Sequence, residues 1–253
     1  MSSDVAVRFD DVSKRYRRGG ARRPSVGDHW TDFKDRVSNR LRGGSSVGTL
    51  ALDSVSFEVA EGDAFAILGA NGAGKTTAIR VLTRISRPTS GRVSVRGRVG
   101  AIIDVGVGMH PELSGRENIW LYGTVLGMLR SQIRRRFHDI VAFAELEDVL
   151  DRPLKYFSTG MQLRLGFAIA AYVDPDILVV DEALAVGDAA FQAKCAQRMQ
   201  EMVREGCTLL YVSHSLASVE NLCRRGILLE GGRVVVDGDI ADVVAGYRQR
   251  VGG

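Results

Sequence analysis

The chain has 253 residues, 45% of them apolar and 25% charged, which suits one large soluble domain or two small ones with a sizeable core. Its apolar runs, such as residues 167–173 and 177–180, fall far short of the ~18 residues needed to span a bilayer, so no part of it is expected to cross a membrane alone. Three cysteines without paired spacing, Cys195, Cys207 and Cys223, argue against a disulfide framework or a metal site and read as buried free thiols.

The net charge of +4 conceals an asymmetry. Between residues 14 and 42, ten Lys and Arg face three acids (Asp28, Asp32, Asp35), a local +7 that leaves −3 for everything else. The opening MSSDVAVRFDD carries acids and alternation instead of a charged start followed by an apolar block, so no secretory signal is expected and the protein reads as cytosolic.

In chain order, residues 5–9 alternate as a strand, and residues 52–59 and 64–68 follow as apolar runs bounded by Gly and Asp. Between them, residues 17–48 form a basic insertion rich in Arg, Gly and Ser. Within it Trp30, Phe33, Val37 and Leu41 recur at helical spacing, flanked by Lys34, Arg36 and Arg40, which predicts an amphipathic helix. A helix over 75–82 precedes short strands near 92–95 and 99–103. Residues 115–150 read as mostly helical, 162–172 as a helix and 177–181 as a fully buried parallel strand. A helix over 191–204, a strand over 208–213, a helix over 216–223, a hairpin over 227–236 and a terminal helix over 240–248 complete the series. Strand and helix alternate in the α/β manner, with an antiparallel piece at each end.

Three stretches carry chemistry. GANGAGKTT (Gly69, Ala70, Asn71, Gly72, Ala73, Gly74, Lys75, Thr76, Thr77) matches the phosphate-binding loop where it belongs, after an apolar strand and opening a helix. Its glycines let backbone N–H groups close on phosphate oxygens, Lys75 would reach the β- and γ-phosphates, and Thr76 would take a Mg²⁺ position. ILVVDE is an apolar strand ending in Asp181, placed to hold Mg²⁺, and Glu182, placed to orient or deprotonate the attacking water. YVSHS ends another strand with His214; a lone histidine is usually structural or on the surface.

Together these residues resemble the ATP-binding subunits of ABC transporters, and the resemblance covers nearly the whole chain. It implies an α/β P-loop NTPase nucleotide-binding domain over 1–253, with an antiparallel β subdomain and a helical subdomain inserted over 116–175. It implies ATP and Mg²⁺ as ligands and a homodimer in which the signature of one subunit caps the γ-phosphate held by the other. The aligned signature is Ser158, Thr159, Gly160 and Met161, where Thr159 and Met161 depart from the usual Gly and Gln. Tyr16 falls where the family stacks an aromatic on adenine, a place that surface decoration would fill equally well. Asp188 falls in the loop that crosses the dimer interface. The family's Mg²⁺-contacting Gln is missing, and Asp104 aligns in its place. Catalysis is thereby assigned to Lys75, Glu182 and His214.

The departures match one branch, the ATP-binding subunits of polysaccharide, O-antigen and teichoic-acid exporters, most specifically in DEALAVGDAAFQAKC. That resemblance implies coupling to a separate polytopic permease, a lipid-linked glycan as cargo, and a place on the cytoplasmic face of the bacterial membrane. The basic insertion would engage anionic headgroups or a pyrophosphate-linked lipid; a solvated linker with a packed helix is its bland reading, and nucleic acid ranks last. Little sequence follows the terminal helix, so no carbohydrate-binding domain and no recognition of a modified chain end are expected. A soluble ABC ATPase uncoupled from transport is the alternative.

Overall fold

A computed structural model describes residues 4–17, 48–102, 108–181, 188–213 and 215–251. The predicted amphipathic helix, Asp104, Glu182 and His214 lie outside these described residues.

The fold is organised around β3 (Ala64–Gly69), whose six residues are all buried. Side chains of a strand point alternately to opposite faces. Ala64, Ala66 and Leu68 therefore enter one apolar cluster, and Phe65 and Ile67 enter another. Burial on both faces is the signature of a central parallel strand. The sheet runs β5 (Val99–Ile102), β6 (Ile177–Val180), β7 (Thr208–Val212), β3, β8 (Arg225–Glu230), β9 (Arg233–Asp239). All neighbours are parallel except the closing β8–β9 pair.

A second, antiparallel sheet is formed by β2 (Gly48–Ala60), β1 (Val5–Arg17) and β4 (Ser90–Val95). β1 extends well past the predicted 5–9, because register shifts and the left-handed Asp11 (φ 48°) let it bend and keep pairing to Arg17. Phe9, Phe57 and Phe65 stack between the sheets at centroid separations of 4.4 and 5.5 Å, closed off by α1 (Lys75–Leu82). Each such buried ring is worth roughly 1.5–3 kcal/mol.

The other face of the large sheet carries α2 (Gly115–Val125), α3 (Arg130–Ala144), α4 (Thr159–Ala170), α5 (Ala189–Arg204), the short α6 (Leu216–Leu222) and α7 (Ile240–Val251). The helical stretch expected over 115–150 is broken where Gly127 (φ 91°) turns the chain between α2 and α3. Its start is fixed by a capping box, Ser114 with Glu117, whose carboxylate accepts from Ser114 N at 2.8 Å. Phe143, Phe167 and Phe191 meet at 5.7–6.2 Å and join α3, α4 and α5. The three cysteines are free and buried as expected, and burial pushes the Cys195, Cys207 and Cys223 thiols up to about 12, 11 and 12.

Candidate nucleotide-binding site

β6, β7 and β3 are adjacent and parallel, so their C-terminal ends share one sheet edge. From that edge leave the phosphate-loop residues after Gly69, Asp181 after Val180 and Ser213 after Val212. Ligands of open α/β sheets bind at this edge.

The loop folds as its glycines dictate. Gly72 (φ 80°) and Gly74 (φ 111°) both take left-handed backbone, and Gly74 is the N-cap of α1. A Cβ at Gly74 would stand 2.6 Å from Ala51 O, so that glycine is required by packing as well as by φ. The buried Lys75 curls back so that Nζ donates to Gly69 O at 2.6 Å and to Ala70 O at 3.1 Å. Burial pulls its ammonium below the ordinary lysine range, and the Asp181 carboxylate opposes part of that shift. Thr76 is exposed and Asp181 half-buried, its N–H held by Ile102 O at 3.0 Å. A hollow of 180 Å³ is lined by Ala51 and residues 70–77.

Ser215 N donates to the Oγ of buried Ser213 at 3.0 Å. Tyr16, at the end of β1, is 37% exposed, with Lys14 Nζ 5.1 Å from its ring centroid. Its carbonyl lies where a Cβ on Gly48 would come within 2.6 Å.

The signature run opens α4. Ser158 is its N-cap and accepts from Met161 N at 3.2 Å, which starts the helix at Thr159, three residues earlier than predicted. Phe157 is buried, whereas Ser158 and Thr159 are exposed. A Cβ on Gly160 would meet only Ser158 Oγ, at 3.9 Å, so packing within the described residues does not demand a glycine there. None of the residues lining the phosphate-loop hollow belongs to this run.

Behind the signature lies an ion cluster that joins Arg164 and Glu145 to Asp188 and Lys194 of the DEALAVGDAAFQAKC run. Arg164 donates to Glu145 Oε2 at 2.9 Å and Asp188 Oδ2 at 2.7 Å, and its guanidinium lies 4.8 Å from the Phe191 ring centroid. Asp188 caps α5 by accepting from Phe191 N at 2.9 Å. Lys194 joins by donating to Glu145 Oε1 at 2.9 Å and Phe143 O at 3.0 Å. The hydrogen bond from Phe191 N, then Arg164, holds the Asp188 carboxyl below its usual range; Lys194, then Arg164, does the same for Glu145. Asn118, fully buried, escaped the sequence reading. Its amide donates to His110 O, Leu113 O and Ser114 O at 2.9–3.0 Å and accepts from His110 N at 2.7 Å.

A family model described as ABC transporter matches residues 52–185, which contain both the phosphate loop and the signature. The O-antigen export system ATP-binding protein RfbB of Klebsiella pneumoniae is 44% identical over 200 residues, covering 79% of this chain and 81% of that protein. The chain belongs to the ABC transporter ATP-binding family. Its members bind and hydrolyse ATP. The RfbB protein of Myxococcus xanthus is 39% identical over 97% of the chain, and the teichoic acids export ATP-binding protein TagH of Bacillus cereus is 36% identical over 97%. The chain spans 56% and 43% of the length of these two. Among solved structures, the ATP-binding subunit of an ABC transporter superposes with a TM-score of 0.73 at 23% identity, covering 98% of this chain and 93% of that one. The dimeric cassette MJ0796 in a post-hydrolysis state gives 0.71 at 21%, covering 92% and 98%. Both share the α/β cassette fold described above.

A larger hollow of 610 Å³ lies at the opposite sheet edge, by Asp176 and Thr208. Its charges are all paired, Arg96 with Glu61 and Arg136 with Asp174 within the lining and Asp176 and Glu205 with Arg98 and Arg198 beside it, and it is not assigned to the ATPase site.

Proposed function

We propose that this ABC cassette is the ATP-hydrolysing subunit of an exporter moving a lipid-linked polysaccharide or teichoic-acid-like polymer out of the cytoplasm. It would work as a homodimer on a separate polytopic permease, at the cytoplasmic face of the membrane. The observation that carries this reading is the 44% identity to an O-antigen export ATP-binding protein of which the chain spans 81%. No helix among the described residues is long and apolar enough to cross a membrane, which agrees with a separate permease.

The phosphate loop fits a nucleoside triphosphate. The buried Lys75 ammonium is bonded to two loop carbonyls, and phosphate oxygens would give it the anionic partners its burial calls for. Nothing lies within 4 Å of where a Cβ on Gly72 would stand, so the loop backbone is open to a ligand there. Tyr16 would stack on adenine. Thr76 and Asp181, with Asp104, offer the oxygen donors that Mg²⁺ takes, and bound Mg²⁺ would neutralise charge on the β- and γ-phosphate oxygens. Glu182 would accept the proton of the attacking water, and His214 would hold the γ-phosphate in line. Ser158, Thr159, Gly160 and Met161 would cap the partner's nucleotide, and the open space at Gly160 supports that assignment. Asp188 would stand at the interface between the two copies.

Glu182→Gln is expected to keep ATP binding and to lower turnover by a factor on the order of 10²–10⁴, the usual contribution of a general base. Steady-state hydrolysis beside equilibrium ATP binding measures both, and wild-type turnover in the variant removes Glu182 from that role. The same variant, purified with ATP from detergent-solubilised membranes of its native cell, should bring down a polytopic membrane protein in equal amount. Recovery only with ribosomes, DNA or soluble assembly factors would reject the exporter reading and leave an ATPase uncoupled from transport.

A further inference from the structure

The phosphate loop is held from outside by a turn that none of its motifs includes. Gly232 N donates to Ala73 O at 3.0 Å, and Gly232 O accepts from Asp53 N at 2.8 Å, so the β8–β9 turn bridges the loop and β2. Gly231 (φ 55°) and Gly232 (φ 83°) are both left-handed, but their surroundings differ. A Cβ on Gly232 would stand 2.9 Å from Ala51 O, whereas one on Gly231 would meet nothing within 4 Å. Gly74 crowds the same Ala51 carbonyl, and the position of its Cβ is 3.6 Å from Gly232 Cα. Loop, turn and β2 thus close on one another through backbone alone.

The same turn is fastened to α7. Arg250 Nε donates to Glu230 Oε2 at 3.1 Å, next to the glycine pair, and Arg250 also donates to Gly246 O at 3.0 Å. Tyr247 and Arg250 line a 290 Å³ hollow whose other walls are loop residues 70–73 and residues 228–231. The last helix therefore borders the back of the phosphate loop.

We propose that the Gly231–Gly232 turn, latched to α7 by Glu230 and Arg250, is a positioning brace that sets the phosphate loop and with it the affinity for nucleoside triphosphate. The inference rests on the assignment of residues 69–77 to phosphate binding. Gly232 acts through the Ala73 carbonyl and touches no substrate. Its consequence is that whatever displaces the end of α7 is read at the loop as a change in ATP affinity.

Asn tolerates left-handed backbone, so Gly232→Asn and Gly231→Asn carry a similar conformational penalty and differ in the contact with Ala51. With the full chain, Kd for MgATP should rise about tenfold in Gly232→Asn, the scale of a small misplacement of a binding group, and stay near wild type in Gly231→Asn. A merely structural role would lower the melting temperature and leave the Kd of the folded protein alone; equal Kd values in the two variants overturn the inference. If Gly232→Asn does not fold, the charge pair decides. Glu230→Arg and Arg250→Glu should each weaken ATP binding about threefold, as exposed ion pairs allow, and the double variant should restore it. Unchanged affinity in both single variants overturns the brace. Lys75→Ala is the control for the assignment beneath it: if wild type and Lys75→Ala bind MgATP alike, the phosphate-loop reading falls and the brace with it.

Discussion

Asn118 shows how a residue with no motif can hold a site's surroundings together. Its carboxamide satisfies three carbonyls and one N–H where residues 110–114 turn into α2, with no exposure to water. Asn118→Ala would strand the His110 N–H and remove a second donor from three carbonyls that keep a backbone partner, so a loss of about 1–3 kcal/mol is expected. Urea denaturation should show a lower midpoint at unchanged slope. Asn118→Asp should be no milder, because three carbonyl oxygens would then face a carboxylate oxygen. The capping box is visible in the spacing of Ser114 and Glu117, but Asn118 is not, since hydrogen bonding to a loop four to eight residues upstream leaves no periodic trace. Lys75 is the opposite case, legible because the chemistry of phosphate binding fixes the spacing of its glycines.

At the scale of elements, α3, α4 and α5 are tied by Arg164, Glu145, Asp188 and Lys194. Both carboxyls are held below their ordinary values of 4.5 for Glu145 and 3.8 for Asp188. A depressed carboxyl stabilises the fold above its unfolded value and loses that contribution as pH falls through the folded one. The wild type should therefore lose stability on acidification below about pH 4.5, and Arg164→Ala should show a shallower loss, because its carboxyls titrate nearer their ordinary values. Thermal melts from pH 7 to pH 3 at low and high salt check this, with salt narrowing the difference between the proteins, as the carboxylates are exposed. The elements themselves were largely readable, α1 and β6 almost to the residue, because Gly-rich turns and unbroken apolar runs mark their limits. The long β1, the Gly127 break and the early start of α4 were not, since a bulged strand, a single turn residue and a serine cap are settled by neighbours distant in sequence or by one local hydrogen bond.

For the whole molecule, pattern reached furthest where two cores meet. Alternating strands and helices announced an α/β fold with an antiparallel piece at each end of the chain; the first is the separate sheet of β2, β1 and β4, and the second is the β8–β9 pair. How the strands order themselves, with β3 between β7 and β8, was not written in any local run, because register across a parallel sheet is decided by which faces must be buried together. The reach of the antiparallel sheet over Phe9, Phe57 and Phe65 likewise follows from packing.

Because β3 supplies side chains to both clusters, neither core can open without freeing the strand that leads into the phosphate loop. Its backbone amides at residues 65–68 should exchange deuterium only when the entire domain unfolds, at the slow limit set by global stability. Saturating MgATP at about 100 times its Kd should slow that exchange roughly a hundredfold by linkage, whereas exchange faster than global unfolding at these amides would show that the two cores melt independently. Deuterium uptake along one six-residue strand thus serves as a gauge of ligand occupancy, even though none of the amides it reads touches the ligand.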